Sequence, residues 1–341
     1  MSNKTTLQQI AEAAQVSLST VDRVINRRGG VSPKSEARVL EWATRLNLDR
    51  KVFRAHLQVL RIAVLMQSPE NPFYRALREA FSSADATTQD LRMNLHMFHV
   101  DPGDLDDTIR KIETAASGYD GLIIDCVDHV SVTEKLRQVS KRRPVVTFLT
   151  DLPSSGRIAY VGPDNRQMGR VAGELMGRFL GERGGKVLVM LGSQQFAGHL
   201  DREIGFRAVL RERFPACEIV EILESAESAE RAGDLIYRTL KQQPDIRGIY
   251  NVTAGNFAIA QCIKALGLQE KVTFITHELT PLRRQLLRTG VLDAVIDQNP
   301  RLEAIRAIEV LARHFKRSEH DAPMADFTPF DIYLRENCPP G

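Results

Sequence analysis

The sequence predicts two kinds of fold: a small all-α head, followed by an α/β body of two doubly wound parallel-sheet lobes. The first 48 residues contain three short segments with apolar residues at helical spacing. From residue 61 onward, short apolar runs alternate with longer stretches at helical period, which is typical of parallel sheets covered by helices. Residues 1–61 carry eleven Lys or Arg against five Asp or Glu, whereas the remainder is slightly acidic. The head is therefore expected to bind a polyanion.

The composition indicates which class of protein this is and in which compartment of the cell it is expected. The chain has 341 residues, of which 43% are hydrophobic and 26% charged, which suits two or three globular domains. No apolar run reaches the length of about 18 residues that a membrane span needs, and the first residues lack the apolar core of a signal peptide. The four cysteines show no Cys-x-x-Cys spacing, which indicates reduced thiols. We therefore expect a cytoplasmic protein that uses no cofactor and no metal.

Three helices are predicted in the head. Thr6 is a candidate cap of the first helix, with Gln9 completing a capping box. Ser17 is a candidate cap of the second helix, after a turn of about three to four residues that lets two helices cross steeply. A basic loop, Arg27-Arg28-Gly29-Gly30, follows the second helix. Ser32-Pro33 then supplies the N-cap and the first-turn proline of a third helix.

The outward face of the second helix carries mostly short polar side chains beside the basic loop. Its predicted members are Leu18, Ser19, Asp22, Arg23 and Asn26. Side chains of this size reach base edges in the major groove of DNA, while a positive loop holds phosphates. The sequence allows a local salt bridge or a contact to a cytosine amine for Asp22, and a helix C-cap or a phosphate contact for Asn26. We therefore predict that the head binds DNA.

The segment IAEAAQVSLSTVDRVINRRGGVSPKSEARVLEWATRL closely resembles the DNA-binding head of the LacI/GalR repressor family. It matches the family pattern A-x-x-A-x-V-S-x-x-T-V-x-R-V-x-N, a short loop, and then V-S-x-x-x-x-x-R-V. The resemblance implies a helix-turn-helix domain in which Leu18 and Ser19 read base edges and Arg23 contacts DNA. Side chains that position the DNA backbone are expected at Thr20, Asn26, Ser32 and Arg38. The full set of predicted DNA contacts is Thr6, Ser17, Leu18, Ser19, Thr20, Asp22, Arg23, Asn26, Arg27, Ser32, Arg38 and Leu57.

The link between head and body departs from that family. The usual Leu-x-Tyr-x-Pro-Asn pattern is replaced by LNLDRK at 46–51, which lacks the Pro-Asn pair. Leu57 lies where the family carries a hinge-helix leucine that wedges into the minor groove, but packing against the body is an equally open interpretation. We predict a DNA-binding domain over 1–48, a linker with a candidate hinge helix over 49–60, and an effector-binding and dimerisation domain over 61–341.

Eight short apolar runs of the body are predicted to be strands. Between most of them lie about 15–25 residues at helical period, as βαβ units require. Continuous apolar runs such as GLIID at 121–125 are typical of strands that are buried on both faces of a sheet. The predicted strands are 61–66, 94–100, 121–125, 144–149, 186–191, 247–252, 271–276 and 292–297. We expect one lobe, the N-lobe, to contain 61–160 and 292–322, and the other, the C-lobe, to contain 161–291 and 323–341.

Polar and aromatic side chains follow these strands directly. Because ligands of such sheets bind at the carboxyl ends of the strands, these loops are the candidate ligand site. Carboxylates, amides and an arginine pair with the adjacent hydroxyls of a sugar or polyol, and a ring covers its C–H face. The predicted effector contacts are Asn71, Phe73, Tyr74, Asp151, Arg202, Asn251, Asn256, His277, Glu278 and Gln298. A turn cap for Asp151, a structural ion pair for Arg202 and a packed core position for His277 are the competing interpretations.

Over essentially the whole of 61–320, the body resembles the ribose-type periplasmic binding proteins and the effector domain of the same repressor family. Asn-Pro-Phe-Tyr at 71–74 is similar to their Asn-Pro-Phe-Phe, and Arg202-Glu-Ile-Gly-Phe to their Arg-x-x-Gly-Phe. The resemblance implies a type I periplasmic-binding-protein-like fold in which Arg202 and Gln298 contact the effector, with Glu278 in place of an aspartate. The usual Asn-Asp after the fifth strand is replaced by NVTAGN at 251–256, and Asp151 is expected to replace a missing Asp-Arg pair.

An enzyme and a free sugar-binding protein are the alternatives. The sequence contains no GxxxxGK[ST], no GxGxxG after a strand, no GxSxG and no HExxH motif, which argues against the common enzyme classes. A free binding protein leaves the first 60 residues unexplained. We therefore expect a non-enzymatic repressor that binds near-palindromic double-stranded operator DNA as a homodimer and is controlled allosterically by a sugar or polyol.

Overall fold

The computed structural model describes residues 5–26, 28–46, 48, 58–193, 195–318 and 327–340. Two of the predicted DNA contacts, Arg27 and Leu57, and most of the predicted linker lie outside the described residues. Among the described residues, no helix combines the length and the apolar character that crossing a membrane requires.

The head forms three helices, α1 (Leu7–Ala13), α2 (Leu18–Ile25) and α3 (Pro33–Arg45). The Thr6 hydroxyl accepts a hydrogen bond from the backbone of Gln9, whose side chain in turn accepts one from the Thr6 backbone. This is the predicted capping box, and it satisfies backbone N–H groups that the first helical turn leaves unpaired. Ser17 caps α2 in the same way, by accepting a hydrogen bond from the Thr20 backbone at 3.1 Å.

The apolar stripes of these helices meet in a core of their own. Ile10, Val21, Ile25 and Val39 are at most 2% exposed, and Trp42 packs against them in a partly buried position. The head therefore has a hydrophobic core that is separate from those of the body.

The first sheet of the body has the strand order β2-β1-β3-β4-β5, and every pair in it is parallel. Its strands are β1 (Leu60–Met66), β2 (Met93–His99), β3 (Gly121–Ile124), β4 (Val145–Phe148) and β5 (Ala159–Val161). Helices α4 (Pro72–Ser83), α5 (Asp85–Asp90), α6 (Leu105–Gly118) and α7 (Val130–Ser140) lie between these strands along the chain. The central strands are completely buried, as their continuous apolar sequences predict.

The second sheet has the order β11-β10-β9-β8-β6-β7, and only β11 runs antiparallel. Its strands are β6 (Gly185–Leu191), β7 (Cys217–Glu224), β8 (Ile246–Asn251), β9 (Thr273–His277), β10 (Ala294–Asp297) and β11 (Asp331–Tyr333). The helices of this lobe are α8 (Asn165–Leu180), α9 (Ala197–Arg213), α10 (Ala229–Gln242), α11 (Asn256–Ala265) and α12 (Pro281–Arg288).

The boundary predicted between the two lobes is wrong at residue 292. Strand β10 pairs with β9, so residues 294–297 belong to the second sheet and not to the first. The chain crosses back only after β10, because the next helix, α13 (Pro300–His314), packs against α4 and β4 of the first lobe. Ala304, Ile308 and Leu311 of α13 lie in the same apolar core as β1.

Candidate functional site

Loops at the carboxyl ends of strands from both sheets surround one cavity of ≈ 550 Å³, a volume that includes its opening to solvent. Six of the ten predicted effector contacts line it: Asn71, Phe73, Tyr74, Arg202, Glu278 and Gln298. The lining also contains residues that the sequence analysis did not select, among them Gln67, Thr150, Asn165, His199, Glu227 and Arg283.

Arg202 is the centre of the polar network in this cavity. Its side chain projects from α9, and the residue is 5% exposed. Its Nε donates to Oδ1 of Asn165 at 2.8 Å, Nη1 to Oε1 of Glu278 at 3.2 Å, and Nη2 to Oε1 of Gln298 at 3.1 Å. A buried guanidinium needs such partners to compensate for its lost hydration. Arg202 is thus both an ion-pair partner and a cavity-lining group, so the two interpretations of it are compatible.

A second arginine, which the sequence analysis missed, completes the network. Arg283 lies in the first turn of α12 and donates through Nη1 to Oε2 of Glu278 at 3.1 Å. Its Nη2 donates to the carbonyl oxygen of Thr253 at 3.2 Å. Burial lowers the pKa of Arg283, although the Glu278 carboxylate opposes that shift. Glu278 therefore bridges two arginines, one on each of its carboxylate oxygens.

The first lobe contributes a tyrosine that connects the cavity to a buried carboxyl group. Tyr74 Oη donates to Oδ2 of Asp125 at 2.7 Å and accepts from Nε2 of Gln67 at 2.8 Å. Asp125 comes directly after β3 and is 0% exposed. Burial raises the pKa of Asp125 to about 6, even though the hydrogen bonds from Tyr74 and Thr150 favour its charged form.

Five residues other than glycine adopt left-handed backbone conformations at this edge of the sheets: Leu149, Ala226, Glu227, Glu278 and Asn299, with φ angles of 61°, 52°, 61°, 54° and 57°. Leu149, Glu227 and Glu278 line the cavity. Such a conformation costs a non-glycine residue about 1–3 kcal/mol and is concentrated at functional sites. The strain coincides with the cavity, which supports a ligand-binding role for this edge.

Four of the predicted effector contacts do not line the cavity. Asp151 instead receives hydrogen bonds from Arg157, one of them to Oδ2 at 2.6 Å. Asn251 and Asn256 brace the loop after β8, where Nδ2 of Asn251 donates to Oδ1 of Asn256 at 2.9 Å. His277 is 0% exposed, and its Nε2 pairs with the Tyr250 hydroxyl at 2.7 Å. These four residues were predicted to contact the effector because they follow strands, but each side chain points to a partner within its own lobe.

The predicted reading face of the head is exposed along α2. Leu18 is 47% exposed, and Ser19, Arg23 and Asn26 are also exposed. Thr20 is half-buried, as is Arg38 of α3, and Ser32 caps α3 by accepting a hydrogen bond from the Ser35 backbone at 3.2 Å. The hydroxyls of Thr6, Ser17 and Ser32 are thus occupied in helix capping in the structure.

Asp22 forms the local salt bridge that the sequence allowed. Its Oδ2 pairs with Nη1 of Arg28 at 2.9 Å, and its Oδ1 accepts from Nδ2 of Asn26 at 2.6 Å. Asn26 also occupies the C-cap position of α2. Arg28 is held by this pair beside the second helix, where the Asp22 carboxylate offsets its charge.

Comparisons with known proteins agree with both parts of the structure. Residues 6–49 match the family model of bacterial regulatory proteins, lacI family, and residues 62–319 match that of the periplasmic binding protein domain. The HTH-type transcriptional regulator DegA of Bacillus subtilis (strain 168) is 28% identical over 246 residues, which are 69% of this chain and 70% of that protein. The ribose operon repressor of Halalkalibacterium halodurans is 26% identical over 276 residues, 78% of this chain and 76% of that one.

A solved structure with the same body fold is GanP, a glucose-galactose binding protein from Geobacillus stearothermophilus. It superposes with a TM-score of 0.75 at 23% identity and covers 83% of this chain and all of GanP. The body match spans three quarters of the chain, and the head match covers the three helices that carry the exposed polar face. The chain therefore belongs to the lacI family of bacterial regulatory proteins, with a periplasmic binding protein domain as its body.

Proposed function

We propose that this regulator represses transcription by binding operator DNA through its head, and that a small sugar or polyol in the cleft between the lobes controls that binding. The observation that carries the proposal is the construction of the cavity from both lobes: Tyr74 comes from the first, and Arg202 and Glu278 come from the second. A ligand that touches both lobes binds one relative arrangement better than another, so it shifts the balance between the two arrangements.

The side chains in the cavity suit a polyhydroxylated ligand. The effector contacts that we propose are Asn71, Phe73, Tyr74, Arg202, Glu278 and Gln298. Amide and carboxylate groups pair with adjacent hydroxyls, and the rings offer apolar faces to C–H groups. The names of two similar proteins, the ribose operon repressor and the glucose-galactose binding protein, support this class of ligand.

The crossing between the lobes offers a route from the ligand to the DNA. Gln298 accepts a hydrogen bond from Arg202 and stands immediately before Asn299, the left-handed residue at which α13 begins. A change at Gln298 on ligand binding therefore acts on the segment that joins the second sheet to the first lobe. A coupling free energy of about 1–3 kcal/mol between ligand and operator is enough for regulation.

On the DNA, we propose that two chains pair through their bodies in the cytoplasm, and that their heads read the two halves of a near-palindromic operator. Leu18, Ser19 and Arg23 are the proposed base-reading side chains, and their exposure on α2 supports this assignment. The proposed domains remain a DNA-binding head over 1–48, a linker over 49–60 and an effector and dimerisation domain from 61 onward.

The test is DNA binding by the purified full-length chain, measured by fluorescence anisotropy on promoter fragments next to its own gene at moderate salt. We expect one fragment to bind at least about a thousandfold more tightly than bulk competitor DNA, and one pentose, hexose or polyol to change that affinity. Equal affinity for every fragment with every ligand would contradict the proposal.

A further inference from the structure

The cavity and the residues behind it hold more carboxyl groups than cations. Among the described residues that line the cavity, Arg202 and Arg283 are the two cations, and both are paired with Glu278. Glu227 lines the same cavity and has no arginine or lysine partner there. Its Oε2 accepts from the Thr253 hydroxyl at 2.8 Å, while its Oε1 is buried and has no hydrogen-bond partner in the described part of the chain.

Further carboxyl groups lie directly behind the lining. Asp125 is buried beneath Tyr74, and Glu303, in the first turn of α13, is 0% exposed and has no described hydrogen-bond partner on either oxygen. Burial raises the pKa of both carboxyls and also that of Glu227. In each case burial is the largest cause, because loss of hydration disfavours the charged form of a carboxyl group. A cation bound beside these groups would favour the charged form again.

The histidines of this region add no positive charge beside these carboxyl groups. The Nδ1 atom of His199 lies 3.8 Å from Oε1 of Glu227, beyond hydrogen-bond distance. Burial lowers the pKa of His199 to about 3 and that of His277 well below its ordinary value, and Arg202 lowers both further. Both rings are therefore neutral at physiological pH, and neither donates a hydrogen bond to the buried Oε1 of Glu227.

Aromatic rings complete the environment of a cation. Phe73 and Phe196 line the cavity from opposite lobes, together with Tyr74. The faces of such rings attract an ammonium group in a desolvated site. A cavity that is lined both by aromatic rings and by a carboxyl oxygen without a donor favours a protonated amine over a hydroxyl, because the amine gains from both groups.

We propose that the effector carries a protonated amine, as an aminodeoxy sugar does, and that Glu227 receives its ammonium group. This inference rests on the proposed function, because it names the class of ligand that the same cleft takes. The donors of the two arginines are engaged by Glu278, Asn165, Gln298 and the carbonyl oxygen of Thr253. A phosphate or a carboxylate of the effector would therefore have to displace those partners.

The experiment compares ligands that differ only in that amine. Calorimetric titration of the full-length chain at pH 7.5 would use D-glucose against D-glucosamine and D-galactose against D-galactosamine, with N-acetyl-D-glucosamine as the uncharged amide. We expect at least one amine to bind about tenfold or more tightly than its neutral counterpart, the size of one charge-assisted hydrogen bond. We expect Glu227→Gln to remove that preference and Glu230→Gln, an exposed neighbour on α10, to keep it.

The possible results separate this inference from the proposed function. If a neutral sugar binds as tightly as its amine, or if the preference survives in Glu227→Gln, the inference is overturned and sugar control stands. If no compound of either class binds or alters operator affinity, both are overturned. The comparison within the unmodified chain does not depend on how well the Glu227→Gln variant folds.

Discussion

At the scale of single residues, Arg202 is the position where ligand binding is most easily separated from DNA binding. We expect Arg202→Ala to abolish the effect of any ligand on operator affinity, because it removes the donors to Asn165, Glu278 and Gln298 at once. Operator binding without ligand should persist, since the head has its own core. Anisotropy titrations with and without ligand measure both quantities.

Two matched variants make that result interpretable. Arg211→Ala, at an exposed position of the same helix, should leave both quantities unchanged. Arg23→Ala should do the reverse of Arg202→Ala: it should weaken specific operator binding by about 1–3 kcal/mol and leave ligand binding intact. Loss of operator binding in Arg202→Ala would instead mean that Arg202 mainly supports the fold.

The raised pKa of Asp125 predicts that the free energy of unfolding depends on pH. Its pKa is about 6 in the folded chain, above the ordinary value of 3.8 that an unfolded aspartate keeps. The folded state therefore holds the proton more tightly, and the stability from this group falls as the pH rises from about 4 to about 6. We expect Asp125→Asn to raise the free energy of unfolding by up to about 3 kcal/mol at pH 8.

The gain from Asp125→Asn should shrink to about half at pH 5, where the carboxyl of the folded, unmodified chain is already mostly neutral. Denaturant unfolding at the two pH values measures the difference. Asp128→Asn, three residues further on and exposed, is the control and should change stability little. An equal gain at both pH values would show that charge is not the cause.

The sequence identified the site residues that follow predicted strands and point into the cleft, such as Asn71 and Gln298. It missed Asn165 and Arg283, because both reach the cavity from the first turn of a helix, where polar residues ordinarily serve as caps. Asp125 could have been selected from the sequence, because it ends the apolar strand GLIID with a carboxylate. Which polar side chain after a strand faces the ligand depends on partners such as Arg157 and Tyr250, which only the three-dimensional arrangement reveals.

At the scale of whole elements, helices α8 and α9 are held close together by glycines. A Cβ atom on Gly169 would lie 1.9 Å from the carbonyl oxygen of Arg202, and one on Gly205 would lie 2.1 Å from that of Arg166. Real Cβ atoms do not approach backbone oxygens so closely. The helix that carries Arg202 therefore keeps its position only while residue 169 has no side chain.

We expect Gly169→Ala to force the two helices apart, to destabilise the fold by about 1–3 kcal/mol, and to weaken ligand binding by displacing Arg202. Thermal unfolding and ligand titration measure the two effects. Gly118→Ala is the control: Gly118 ends α6 and has nothing within 4 Å of the added atom, so alanine should be neutral or slightly stabilising. The same result for both variants would exclude the packing explanation.

The strands that were not predicted from the sequence, β5, β7 and β11, were missed for physical reasons. Strand β7 reads CEIVEILE and lies at the edge of its sheet, so exposed acids interrupt its apolar residues. Most of the predicted strands were recognised by continuous apolar runs, which only strands buried on both faces require. Strands β5 and β11 have three residues each, too few for any periodic pattern. Because β7 was missed, Glu227 in the loop after it was not considered as a site residue.

At the scale of the whole molecule, the uneven distribution of charge indicates that the head and the body have different functions. The head has the excess of positive charge that DNA phosphates attract, whereas the body is slightly acidic. A single head with one short reading helix makes few base contacts. In the dimer that we propose, two linked heads would bind the second half-site at a high effective concentration, so the pair would gain affinity and specificity together.

A dimer with a two-fold axis should therefore prefer an inverted repeat to a direct repeat of the same half-site. In the inverted repeat the two halves are related by the same two-fold operation as the two heads, about one helical turn of 34–36 Å apart. We expect binding to the inverted repeat to be at least about tenfold tighter, whereas the direct repeat should bind no better than a single half-site, because only one head can engage. Anisotropy titrations on three duplexes of equal length measure this, and sedimentation of the protein without DNA checks that it is a dimer. Equal affinity for both repeats would mean that the heads bind independently, and the effector would then have no relative head position to change.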